Sequence, residues 1–260
     1  MTTKQKHWSR LGLGLAMATT MLAACGAPAS DEPALDAAQD APPPVTAIAV
    51  GEGEGEGGEM GHGMDTLPVE KRVAFMSGHV EAGLALFRAG APDQAAKHLL
   101  HPVSETHEAE RAGIDALGFD KDIFIQVSEA LEAGQPAEDT ALQLAAAEAN
   151  MALMQANAGG DPVDIISYLM DTVLEEYRIG VTDGVITDAG EYQDAFGFTV
   201  VALDIAGRIE GQDTTDLIGE LETLLAMWPE GGPLADSTPT PVTELVAQTS
   251  RVHIALGKLD

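Results

Sequence analysis

"PVEKRVAFMSGHVEAGLALFR", residues 68–88, decides the fold. Its apolar positions Val69, Val73, Met76, Val80 and Phe87 recur at threes and fours, which is the spacing of one helix face and not the alternation of a strand. Pro68 suits a helix start, where a missing N–H costs nothing, and "AGAP" at 89–92 stops the pattern. The same period continues through a chain rich in Ala, Leu, Glu and Gln, all good helix formers, and no strand pattern competes with it. A short helix is expected over 92–100. Pro102 is expected to open the next, ending near Leu117 with Gly118 as its cap. Further helices are expected over 120–133 and 136–157, and "AGGDP" at 158–162 marks a break. Asp161 then caps a helix that reaches Tyr177 or Val181, and "TDGVITDAGE" at 182–191 turns into a partner over 188–210. Helices over 213–228 and 241–259 flank the loop "PEGGPLADSTPTP". The expectation is an all-α bundle of about eight helices over 68–260, dividing into two similar halves, 68–158 and 161–260.

Upstream of this body the composition changes. Lys4, Lys6 and Arg10 precede the apolar run from Leu11 to Ala24, the layout of an export signal over residues 1–25. It ends in Leu22-Ala23-Ala24-Cys25, which resembles the bacterial lipobox and implies lipidation of Cys25, the only cysteine. Gly26 in place of the Asp of an inner-membrane retention signal favours the outer membrane. Residues 26–67, with "APPPV" and "GEGEGEGGEMGHGMD", lack clustered large apolar side chains and read as a disordered acidic, Gly- and Pro-rich leash. The chain carries −29 at pH 7, and loss of three basic residues with the signal takes the mature form to −32. Such a charge excludes nucleic acid as a partner and raises the local concentration of cations. No later apolar run approaches the roughly 18 residues of a membrane span. A soluble body tethered by lipid on the periplasmic face of a bacterial membrane is therefore expected.

Four histidines, His79, His98, His101 and His107, fall between 79 and 107, with His253 far away. On a helix beginning at Pro102, His107 and Glu110 share a stripe with Val103, Ile114 and Leu117. An imidazole and a carboxylate one turn apart on an inner face are how helical bundles supply metal ligands. His79 shares a stripe with Phe75, Ala82 and Leu86, and a corner at Pro102 would bring His101 near Glu105. The expected ligands are His79, His107 and Glu110, with His101 and Glu105 completing or orienting the shell. Mixed imidazole and carboxylate donors suit iron, copper or zinc better than calcium or magnesium. In the leash, Met60, His62 and Met64 alternate in a pattern that suits cuprous copper. The rival expectation is a hydrogen-bonded His107–Glu110 pair in a polar pocket, with the other histidines on the surface. Nucleophile elbows, H-E-x-x-H and phosphate-binding glycine loops are absent from the sequence, so no enzyme is expected. Glu175-Glu176 reads as surface charge, and Tyr168, Tyr177, Tyr192, Phe196 and Phe198 as core.

The stretch "YLMDTVLEEYRIGVTDGVITDAGEYQDAFGFTVVALDIA", residues 168–206, resembles the helical periplasmic domain of bacterial high-affinity iron permeases. The resemblance rests on "EEYRIGVTDG" followed by "GEYQDAFGF", and Glu176, Tyr177, Glu191 and Tyr192 are the matching positions. The chain lacks that family's transmembrane helices and its R-E-x-x-E motif, so transport is not implied. The resemblance implies iron, before copper, as the metal and a permease or other uptake component as partner. The expected function is a lipid-anchored periplasmic metal-binding accessory; a scaffold that only binds partners is the alternative.

Overall fold

The computed structural model describes residues 67–104, 113–229 and 232–259. The export signal, Cys25, the leash with Met60, His62 and Met64, and the expected ligands Glu105, His107 and Glu110 all lie outside the described residues.

The described chain is all-α, as the period predicts. Helix α1 spans Val69–Arg88, α2 Pro92–Ser104, α3 Lys121–Glu132, α4 Ala137–Ala158 and α5 Pro162–Gly180. After a two-residue β-ribbon come α6 (Ala189–Gly207), α7 (Thr215–Leu225) and α8 (Val242–Leu256). Aspartates set three of the starts: Asp120, Asp161 and Asp188 accept from the backbone N–H groups of Asp122, Val163 and Gly190 at 3.2, 2.9 and 3.0 Å. Each satisfies a donor the helix itself cannot, worth about 1 kcal/mol.

Two expectations are corrected. Helix α2 does not stop before Pro102 but runs through it to Ser104, so His98 and His101 lie on one continuous helix. Pro102 falls in the last described turn, where one lost N–H and one displaced carbonyl cost less than in mid-helix. The turn after α5 is also more than a turn: Val181–Thr182 pairs antiparallel with Val185–Ile186. Asp183 and Gly184 take φ of 53° and 77°, the left-handed pair that a two-residue hairpin demands and that Asp-Gly supplies at least cost.

The apolar side chains gather in two cores. One lies under α2, α3 and α4 and takes Val73, Met76, Val80 and Leu84 from α1. Val69 and Phe87, the ends of the stripe read from sequence, are partly buried against it. The second joins α5, α6, α7 and α8 around Leu169, Phe198, Leu221 and Val252, and Ala74 and Phe75 of α1 reach into it. Helix α1 therefore separates the two cores and feeds both. Tyr177, Tyr192 and Phe198 are fully buried, with Tyr168 and Phe196 partly buried against them, as expected. Each large side chain so buried contributes about 1.5–3 kcal/mol of transfer free energy. Tyr177 donates to the Thr240 carbonyl oxygen at 2.7 Å, and Thr240 Oγ1 donates to that of Met227 at 2.7 Å, which ties the segment before α8 to the bundle. Among the described residues, no helix is long and apolar enough to cross a membrane.

Candidate metal centre

Helix α6 crosses α1 where two glycines meet. A Cβ on Gly197 would stand 2.0 Å from the Gly78 carbonyl oxygen, and one on Gly78 would stand 2.0 Å from the Phe198 ring. No side chain fits at that crossing, so the two backbones touch. Gly78 precedes His79, and Gly197 lies three residues after Asp194, so this contact sets the imidazole against the carboxylate across 115 residues of sequence. Helix α2 packs on α1 and presents His98 and His101, one turn apart, to the same point.

The result is a buried cluster of His79, His98, His101 and Asp194, whose donor atoms all lie within 4.8 Å of one another. Asp194 is fully buried. Its Oδ1 accepts from His79 Nδ1 at 2.7 Å and from His98 Nδ1 at 2.9 Å. His101 Nδ1 stands 3.1 Å from His79 Nδ1 and 4.0 Å from Asp194 Oδ2. That second carboxylate oxygen accepts no hydrogen bond from the described residues. The far side of His98 is fixed too: its Nε2 donates to Gln193 Oε1 at 2.8 Å, and the Gln193 amide nitrogen donates to Gln94 Oε1. The rings of Phe75 and Phe198 wall His79, with centroids 4.6 and 5.4 Å from it.

These contacts set the protonation states. Burial alone would discharge His98, but the Asp194 charge and the hydrogen bonds to Asp194 and Gln193 outweigh it and raise the pKa. Both His98 nitrogens donate, as an imidazolium requires. For His101, burial and then the neighbouring His79 charge prevail over Asp194, pushing the pKa down to about 2. His101 is neutral and keeps a lone pair. Burial would raise the Asp194 pKa, but His79 and His98 hold it well below the usual carboxylate range.

A carboxylate, a neutral imidazole and two more imidazole nitrogens make a donor set for a first-row transition metal. Tetrahedral edges around such an ion, with bonds of roughly 2.0–2.1 Å, measure about 3.3 Å, so the shorter edges must open by a few tenths of an ångström and the longest, up to 4.8 Å, must close by more than one. Asp194 Oδ2 has an open lone pair to give. A cation would replace the protons that His79 and His98 share with Oδ1, while the His98–Gln193 bond stays and holds the ring in place, as outer partners of metal-bound histidines do.

Of the residues expected as ligands, the structure brings His79 and His101 together, and Glu105, His107 and Glu110 are outside the described residues. It adds two, His98 and Asp194, that were not among the expected ligands. The signal for His98 was its spacing of three from His101 on a helix. The signal for Asp194 was an acid directly ahead of the nearly continuous apolar run 195–203, on the face that Phe198 and Val201 share. A further correction concerns Glu176. It is not surface charge but buried between α5 and α6, hydrogen-bonded to Glu191. Burial first, and then that bond and the negative charge beside it, push its pKa up to about 11.

No curated protein and no solved structure matches the chain. Residues 155–256, which hold helices α5 to α8 and so Asp194 but not the three histidines, match the iron permease-associated 4-helix bundle domain.

Proposed function

We propose that this protein binds one transition-metal cation, iron in preference to copper, at His79, His98, His101 and Asp194, as a lipid-anchored periplasmic accessory to a metal uptake system. It is a carrier and not an enzyme, and its partner is a permease or another uptake component. The single observation that supports this most is the convergence of three imidazole nitrogens on a fully buried carboxylate, all within 4.8 Å. A cluster of that composition is costly to bury without a purpose, since each charge must be compensated. The match of residues 155–256 to an iron permease-associated domain points to iron, and the charge of −29 draws cations toward the chain. The metal is cargo, held by side chains that contribute no reacting group.

A scaffold that binds only partners remains the rival, and the hydrogen bonds from His79 and His98 to Asp194 favour it, because they satisfy Oδ1 without any ion. Elemental analysis separates the two. The intact protein, dialysed anaerobically against ferrous iron and desalted, should retain one ion per chain, and His98→Ala and His101→Ala should each lose it. Retention equal in both variants, or none in the parent, removes the carrier function.

A further inference from the structure

The metal cluster is closed on most sides. His98 and His101 form one wall of a cleft of about 270 Å³, whose described lining includes neither Asp194 nor His79. The other walls come from Gln94 and Lys97 on α2 and from Asp188, Glu191 and Gln193 at the start of α6. This cleft borders two of the four donor residues, both of them buried. Glu191 stands on α6 one turn before Asp194, on the same side of the helix, and only 6% of its surface is exposed. The other acid in the cleft, Asp188, is already engaged in capping Gly190.

We propose that Glu191 is the relay carboxylate through which a divalent cation passes from the cleft to the histidine–aspartate donors. This rests on the carrier function above and deepens it. A hydrated cation must exchange its waters one at a time, and a carboxylate next to the path supplies an oxygen for the first of them. The cation then exchanges the Glu191 oxygen for the imidazole of His101, which lines the same cleft, and moves inward to Asp194, leaving Glu191 free again. Only ligand exchange occurs, with no change of oxidation state. Glu176 lies behind Glu191 on the neighbouring helix, hydrogen-bonded to it and buried, and holds it in place for this task. Lys97 adds a positive charge to the α2 wall of the same cleft.

Stopped-flow mixing of the full-length protein with cobalt(II), followed by its visible absorption, reads both rate and end point. Glu191→Gln, which keeps the shape and can still hydrogen-bond to Glu176, should slow loading about tenfold and leave the final spectrum and stoichiometry unchanged. Asp188→Asn removes an equal charge from the same cleft and keeps the cap, and it should slow loading far less. Lys97→Gln should speed it. Loading of Glu191→Gln at the parent rate overturns the relay, and so does equal slowing by Asp188→Asn, which would mark a field effect alone. Loss of the end point in Glu191→Gln makes Glu191 a permanent ligand and also overturns it. A parent protein that takes up no cobalt removes the carrier function and the relay with it.

Discussion

Replacing Asp194 with Asn changes one oxygen to an amide in a fully buried position and keeps the shape. The carboxylate accepts two bonds, at 2.7 and 2.9 Å, and its charge is what keeps His98 protonated. Hydrogen bonds to a charged group contribute about 1.5–3 kcal/mol each and neutral ones about 0.5–1.5, so two such exchanges cost about 2–3 kcal/mol. The cost has a pH window. His98 has a raised folded pKa, so its contribution is complete below its unfolded value of about 6.5 and is lost as pH rises through the folded one. Asp194 has a depressed folded pKa, so its contribution is complete above the unfolded value of about 3.8 and is lost as pH falls through the folded one. Both are in force between about pH 4 and 6.5. Urea unfolding of the metal-free protein, followed by circular dichroism, should give a destabilisation of about 2–3 kcal/mol at pH 5.5 and less at an alkaline pH above the raised His98 pKa. Equal destabilisation at the two pH values, or none at pH 5.5, would refute the ion-pair network.

Other outcomes follow from the same geometry. Gly197→Ala should gain about 1 kcal/mol from helix propensity alone, yet the 2.0 Å approach to Gly78 forces α1 and α6 apart, so a lower melting temperature and lost metal retention are expected. A rise in melting temperature would show that the crossing is loose. Tyr177→Phe removes the donor to the Thr240 carbonyl and should cost about 1 kcal/mol while leaving metal binding intact, checked by paired unfolding and binding titrations. Metal binding must displace the proton of His98, whose pKa is raised, so isothermal titration should show proton release and an affinity that falls as pH drops from 8 to 6. Affinity independent of pH would mean that His98 is not a ligand.

Much of this was legible in the sequence, and the remainder was hidden for identifiable reasons. Helical period is local, so α1 with its stripe could be read directly, and so could the cap at Asp161. Proline rules are also local but weaker. A break was expected at Pro102, yet packing of α2 on α1 and α3 carries the helix through it. His79 was legible because its neighbours on the helix face are apolar, whereas His101 was expected from a corner at Pro102 that the continuous helix does not make. Asp194 was not, because its partners lie 96 and 115 residues away and nothing near position 194 indicates that α6 crosses α1 at a glycine pair. The pair Glu175-Glu176 reads as surface charge because acids are numerous in this chain. The burial of Glu176 depends on Glu191 of a different helix, a pairing that composition does not encode.

The most direct measurement is anomalous diffraction at the iron edge from crystals of the protein loaded anaerobically with ferrous iron. A single strong peak bonded to the imidazoles of His79, His98 and His101 and to the Asp194 carboxylate, at roughly 2.0–2.2 Å, is the predicted result. A map with no peak among those four side chains, or with iron held only elsewhere on the acidic surface, would contradict it.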